Sequence, residues 1–260
     1  MIRTFDLKNK IVLVTGGYGH LGKAITESLL FHGAVVYVVG KDKNRFTASF
    51  SGGKYAKDSL FFDRCDVSNS RSIKDSFGRI YRKHKKIDVL INNAFYNAGN
   101  SVEELTDAEW AKGMDGTLAS AFKCIRAIIP YFKGKGGKII NVASMYGLVA
   151  PDFEVYKNHP EFINLPNYGA AKAGLIQISR YYASYLGKLG INVNAVTPGP
   201  FPSEKVQKSS GFMRELKKRT CLNRIGKPEE VAGAFVFLAS NASDFITGQN
   251  IVIDGGWTAK

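Results

Sequence analysis

Cysteine is scarce in this chain: three residues in 260, far apart at Cys65, Cys124 and Cys221. An odd number with no CxxC or Cys/His ligand spacing argues against a disulfide framework and a structural zinc site, and fits a reducing cytoplasm. Long apolar runs are also missing, none approaching the 18 or more residues of a membrane span. Met1 to Lys10 alternates charged and apolar residues without the apolar core of a signal peptide. Secretion and membrane insertion are therefore not expected. Carboxylates are in short supply, 22 against 36 basic side chains, for a formal charge of +14. Such a charge suits an anionic partner, yet no recognised nucleic-acid reader module accompanies it. The densest cluster, Arg82-Lys83-His84-Lys85-Lys86, falls at an expected helix end, where cations are favoured by the exposed carbonyls. The 27 glycines and 8 prolines follow no period, which removes collagen-like and solenoid readings.

With 45% hydrophobic and 22% charged residues, the composition is that of a folded globular chain. At this length about three quarters of the unfolded surface is buried, so no staple is needed. Residues 1–260 are read as one α/β domain. Short Val/Ile-rich runs at Ile11–Val14, Val35–Val39, Ile87–Ile91, Lys138–Val142, Ile191–Val196 and Asn250–Ile253 read as buried strands, with a weaker one at Leu60–Phe62. Amphipathic stretches near 20–32, 68–85, 101–133, 167–188 and 228–240 alternate with them. Right-handed crossovers then impose a doubly wound parallel sheet, helices on both faces. Two segments break the alternation, a loop insert at 148–166 and a stretch at 199–221. Both follow predicted strands, so both should border the ligand crevice, the second as a substrate lid.

After the first strand comes Thr15-Gly16-Gly17-Tyr18-Gly19-His20-Leu21-Gly22, then an amphipathic helix. Gly17, Gly19 and Gly22 satisfy G-x-G-x-x-G in the strand–loop–helix context this motif requires. Glycine permits the tight turn and the approach of backbone to a pyrophosphate, and the helix N-terminus presents free N–H groups. Residues Gly16, Gly17, Tyr18, Gly19, His20, Leu21 and Gly22 are therefore candidate dinucleotide contacts. The next strand ends Val39-Gly40-Lys41-Asp42-Lys43. A carboxylate at that end would accept from an NAD ribose hydroxyl, whereas Lys41 suits a 2′-phosphate. NADP(H) is the expected preference, with NAD(H) possible through Asp42.

Tyr168-Gly169-Ala170-Ala171-Lys172 puts a phenol and an ammonium four residues apart on a predicted helix, hence on one face. An adjacent cation stabilises phenolate, making the pair a candidate acid/base unit. Upstream, the strand Lys138–Val142 leads into Ala143-Ser144, which places a hydroxyl at the expected crevice.

Taken together these residues resemble the short-chain dehydrogenase/reductase family in its compact form, over nearly the whole chain. Thr15-Gly16 with Gly22 is similar to its cofactor loop, Asp66-Val67 to its adenine-contacting pair, and Asn92-Asn93-Ala94 to its fourth-strand motif. Asn141-Val142-Ala143-Ser144 resembles the serine strand, and Asn194-Ala195-Val196-Thr197-Pro198-Gly199 the turn beside the nicotinamide. Thr247-Gly248-Gln249 and Asp254-Gly255-Gly256 resemble the C-terminal signature. The resemblance implies hydride transfer between nicotinamide and a carbonyl or alcohol carbon. Tyr168 would be the proton donor, Ser144 the partner of the same oxygen, and Lys172 the group that holds the ribose and lowers the phenol pKa. It adds Asp66, Val67, Asn93, Ala94, Pro198 and Gly199 to the cofactor contacts, and implies a homo-oligomer, a tetramer or dimer.

Three departures stand out. His20 replaces a loop glycine, Phe95 follows Asn92-Asn93-Ala94 where glycine is usual, and Thr117 takes the place of an asparagine that anchors a proton-relay water. Ser144 and Tyr168 lie 24 residues apart, further than usual, because of the insert around Pro151-Asp152-Phe153-Glu154-Val155-Tyr156. With Ser144-Met145-Tyr146-Gly147, that insert resembles members linked to bacterial surface-sugar and nonulosonic-acid pathways. A sugar or sugar derivative, anionic or nucleotide-linked, is the expected small-molecule substrate. Lys205, Lys208, Arg214, Lys217, Lys218 and Arg219 in the lid segment keep a second reading open, reduction of a 3-oxoacyl carrier-protein or acyl-CoA thioester. A cofactor-binding regulator with a vestigial site is a third.

Overall fold

The computed structural model describes residues 5–53, 55, 58–99 and 101–260. The first four residues of the alternating stretch Met1–Lys10 lie outside these. Seven parallel strands form one sheet in the order β3-β2-β1-β4-β5-β6-β7. They are β1 (Ile11–Thr15), β2 (Val35–Gly40), β3 (Leu60–Arg64), β4 (Val89–Asn92), β5 (Gly137–Val142), β6 (Ile191–Pro198) and β7 (Asn250–Ile253). The expected doubly wound sheet is present, each expected strand within it.

Strand faces alternate. Val12 and Val14 of β1 point to the side covered by α1 (His20–Phe31) and α9 (Pro228–Ala239), where Ile25, Leu29, Val231 and Phe235 are buried. Leu13 points to the opposite side, covered by α3 (Ser70–His84), α5 (Ser120–Phe132) and α6 (Pro166–Leu186) through Phe77, Ile125, Phe132 and Leu186. Both faces are thus dry, which is why the strands read as continuous apolar runs.

Differences from the sequence reading cluster in the connections. A short helix α2 (Lys43–Phe50) follows β2, started by Asp42, whose carboxylate accepts from the Arg45 N–H at 2.9 Å. The stretch 101–133 begins as helix only at α4 (Asp107–Met114), where Thr106 and Glu109 form a capping box. Between α4 and α5 lies a π-helical turn, Asp115–Ala119, that carries Thr117. Residues 148–166 hold short 3₁₀ turns at Phe153–Val155 and Pro160–Phe162. The stretch 199–221 holds α7 (Glu204–Gln207) and α8 (Ser210–Arg219).

Candidate active site

The strand order reverses between β1 and β4, and there the chain opens into a crevice of about 590 Å³ beyond the carboxyl ends of the strands. Its floor is tied together by Thr15. That hydroxyl accepts from the N–H groups of Asn93 and Ala94, both at 3.0 Å, while the Asn93 amide donates to the carbonyls of Thr15 and Gly16. The glycine loop and the end of β4 therefore form one rigid unit.

Two glycines are obligatory here. Gly16 has φ +61°, a left-handed conformation that a side chain strains. A Cβ at Gly22 would lie 2.5 Å from the Gly16 carbonyl oxygen and 2.8 Å from the Asn93 amide. Gly19 is the N-cap of α1 and supplies no side-chain cap, so the first-turn N–H groups face the crevice. No acidic residue sits in that turn. His20 enters α1 in its first turn with its side chain exposed, so the departure at this position leaves the loop intact. Gly16, Tyr18, Gly19, His20, Leu21 and Gly22 all line the crevice. Gly17 does not. It packs inward against Thr26 and Val38, holding α1 to the sheet.

At one end of the crevice stand Lys41 and Arg45, both exposed. The Arg45 guanidinium lies 5.4 Å from the centre of the Tyr18 ring, and that ring covers Gly40 so closely that a Cβ there would meet it at 2.6 Å. Lys41 pairs loosely with Asp66 at 3.9 Å. Hydrogen bonds from Ser68 and the nearby Lys41 and Lys123 outweigh partial burial and hold the Asp66 carboxyl below its ordinary value. Asp66 lines an adjoining hollow, while Val67 and Ala94 face the crevice itself. Arg45 was missed in the sequence because α2 was; with that helix known, it lies four residues past Lys41 at the same end of the site.

Ser144, Tyr168 and Lys172 meet at the opposite end. Ser144 lies two residues past β5, and its hydroxyl, beside the Tyr168 phenol, favours the phenolate. Lys172, one turn along α6, is 3% exposed, donates to the Val142 carbonyl at 2.6 Å and lies 5.5 Å from the centre of the Tyr168 ring. Against the expected help from Lys172 to the phenolate stands burial, because desolvation disfavours both charged forms. Burial raises the Tyr168 pKa against the Ser144 hydrogen bond, and burial lowers Lys172 to about 7. The phenol is thus held protonated, as a proton donor. Phe95 stands above both, edge-on to Tyr168 at 5.8 Å and 5.4 Å from the Lys172 ammonium. Pro198 and Gly199 close the crevice behind β6, where a Cβ at Gly199 would lie 2.4 Å from the Asp254 Cα.

Thr117 is buried on the π-helical turn and its hydroxyl has no hydrogen-bond partner among the described residues. Asp115 on the same turn accepts from Tyr96 and, at 2.6 Å, from Lys123. The insert and α8 meet in a cluster against which Tyr168 packs. Phe212 stacks on Phe162 at 4.6 Å and touches Tyr156 and His159, and Arg219 pairs with Asp152 at 3.0 Å.

A positive-φ glycine turn, an uncapped helix N-terminus, two cations at one end and a Ser/Tyr/Lys cluster at the other fit a nicotinamide dinucleotide. The comparisons agree. A family model described as enoyl-(acyl carrier protein) reductase matches residues 19–258. A 3-oxoacyl-[acyl-carrier-protein] reductase of Chlamydia muridarum is 31% identical, covering 96% of this chain and 98% of that protein. A 2-dehydro-3-deoxy-D-gluconate 5-dehydrogenase of Dickeya dadantii is 30% identical over the full length of both. Among solved structures, the Pseudomonas aeruginosa RhlG/NADP active-site complex superposes with TM-score 0.87 at 28% identity, covering 99% of both chains. A short-chain dehydrogenase of Leptospira borgpetersenii with bound NAD+ gives 0.87 at 30%, covering 99% of this chain and 97% of that one. The chain belongs to the short-chain dehydrogenase/reductase family and is an NAD(P)-dependent oxidoreductase.

Proposed function

We propose that this enzyme interconverts a carbonyl and an alcohol on a sugar or sugar derivative of surface-glycan biosynthesis, with NADP(H) preferred and NAD(H) possible. The observation that carries the reading is one crevice with a Ser144/Tyr168/Lys172 cluster at one end and Lys41 and Arg45 at the other. A bound nicotinamide dinucleotide supplies or accepts the hydride at the reacting carbon. Tyr168 donates its proton to the substrate oxygen: the phenolic O–H breaks, the new O–H forms, and the electron pair stays on Tyr168. Ser144, beside that phenol, holds the same oxygen. Lys172, inserted between Val142 and the two rings, stabilises the phenolate and returns a proton to it. We assign the water that feeds this relay to Thr117, whose unpartnered hydroxyl supports that role in place of an asparagine amide.

NADP(H) preference is supported by the two cations and by Asp42, whose carboxylate is occupied in capping α2. The chain is further read as one domain whose 199–221 segment is a substrate lid. A homo-oligomer is supported by exposed Phe122 on α5 and Tyr181 and Tyr185 on α6. A cytoplasmic site is supported by three unpaired cysteines, and no helix among the described residues is long and apolar enough to cross a membrane. Reduction of a 3-oxoacyl thioester stays as the second reading, favoured by the similarity to carrier-protein reductases and the basic end of α8. Oxidation of NADPH, followed by absorbance against keto-sugars, nucleotide-sugars and acyl thioesters, decides between them. Turnover of acetoacetyl thioester with no turnover of any keto-sugar reverses the order. Cofactor binding without turnover of any of them returns the third reading, a regulator with a vestigial site.

A further inference from the structure

The cations of the crevice are segregated. Lys41 and Arg45 follow β2, whereas the lining residues contributed by β5, by β6 and its following loop, and by α6 include one cation, Lys172. Its ammonium is buried and donates to the Val142 carbonyl at 2.6 Å. Recognition around the carbon reacting at Ser144 and Tyr168 therefore falls to apolar surface, and Phe95 supplies it. Phe95 lines the crevice and is 56% exposed. Its ring stands edge-on to Tyr168, with centres 5.8 Å apart and planes inclined at 62°, and its centre lies 5.4 Å from the Lys172 ammonium. The backbone on either side is pinned. The Ala94 N–H donates to the Thr15 hydroxyl at 3.0 Å, the Tyr96 hydroxyl donates to Asp115, and the Ala98 carbonyl accepts from the Asn167 amide at 3.1 Å. An exposed aromatic face is thus carried on fixed backbone beside the proton donor, where a glycine would offer none.

We propose that Phe95 is a specificity-determining residue that stacks on the C–H face of a ring-closed keto-sugar whose carbonyl oxygen is held by Tyr168 and Ser144. The face of an aromatic ring is negative, and it attracts C–H hydrogens made positive by the neighbouring sugar oxygens. A closed ring arrives with that face already formed, whereas an open-chain ketone or an acyl thioester must order rotatable bonds to present one. The site selects cyclic over open-chain carbonyls. This rests on the carbonyl/alcohol reading of a sugar given above and narrows its substrate class.

The test compares wild type with Phe95→Gly, Phe95→Leu and Phe95→Tyr at saturating NADPH, using a set of methyl ketopyranosides, dihydroxyacetone and acetoacetyl thioester. Wild type favours a ketopyranoside. In Phe95→Gly and Phe95→Leu the kcat/KM ratio of that ketopyranoside to dihydroxyacetone falls about tenfold, the order of one aromatic contact. Phe95→Tyr keeps the flat ring and retains the ratio. Phe95→Leu keeps a side chain in place, so the comparison survives a glycine variant that fails to bind NADPH in a fluorescence titration. Equal losses on all substrates, which an effect routed through the cofactor gives, overturn the proposal. A ratio preserved by Phe95→Leu or by Phe95→Gly overturns it as well. A wild type that reduces neither the ring nor the chain ketose removes the sugar reading itself, whereas one that reduces both equally well removes this inference alone.

Discussion

The Lys172 ammonium nitrogen lies 2.6 Å from the Val142 carbonyl oxygen and 5.5 Å from the centre of the Tyr168 ring, so one buried group joins the end of β5 to the phenol. Burial lowers its pKa to about 7. In the proposed mechanism, the cation that supports the phenolate is thus fully present well below pH 7 and lost as pH rises through it. The expected kcat/KM for carbonyl reduction falls as pH rises through about 7, and the Lys172→Arg variant loses that inflection because guanidinium does not titrate there. A pH–rate profile on both enzymes checks this.

The same shift has a stability sign. A folded-state pKa of about 7 against an ordinary 10.5 means the unfolded chain binds the extra proton between those values. Stability linked to this group rises from pH 7 towards 10, and its cost is fully present below 7. Lys172→Met is expected to raise the thermal midpoint at pH 7 by roughly 5 °C while turnover collapses, and to gain less at pH 10. Thermal scans at both pH values read it.

Removing the phenolic oxygen removes the proton donor of the proposed mechanism and little else. Tyr168→Phe keeps the ring against Phe95, so cofactor binding persists while kcat drops by about a thousandfold. Near-normal turnover in that variant would refute the assignment.

Lys41→Ala and Arg45→Ala each remove a cation from the end of the crevice that would receive a 2′-phosphate. Each raises KM for NADPH about tenfold and leaves NADH almost unchanged, with the penalty shrinking at high salt. Steady-state kinetics with both nucleotides at two ionic strengths provide the comparison.

Steric arguments separate the glycines. Gly22→Ala sets a methyl 2.5 Å from backbone, so it costs about 1–3 kcal/mol and abolishes nucleotide binding. Gly19→Ala meets the Gly16 carbonyl oxygen at 3.3 Å, a tight contact that a few tenths of an ångström relieve, and is expected to cost less than Gly22→Ala. Denaturation midpoints and nucleotide titration distinguish the two.

Most of this was legible in the sequence because short-range patterns carried it. Val12, Leu13 and Val14 are buried on both faces and read as a strand, and Tyr168 and Lys172 share a helix face by spacing alone. The phosphate loop was legible too, although the turn depends on Gly16, while Gly17 serves packing. What stayed hidden depends on tertiary context. Helix α2 is short and mostly polar, with Phe50 its one buried residue, so no apolar period announced it, and Arg45 went with it. The π-helical turn at Asp115–Ala119 is sustained by Asp115 meeting Tyr96 and Lys123, contacts no local pattern encodes. The burial that pushes the Tyr168 pKa up stayed hidden too, because charge proximity is visible in a sequence and desolvation is not.

Phe212 has a mechanical meaning beyond its contacts. Because its ring is wedged among Tyr156, His159 and Phe162, and Arg219 reaches Asp152 further along, the segment after β6 and the insert after β5 are packed as a single unit. Lengthening or trimming one would therefore displace the other as well.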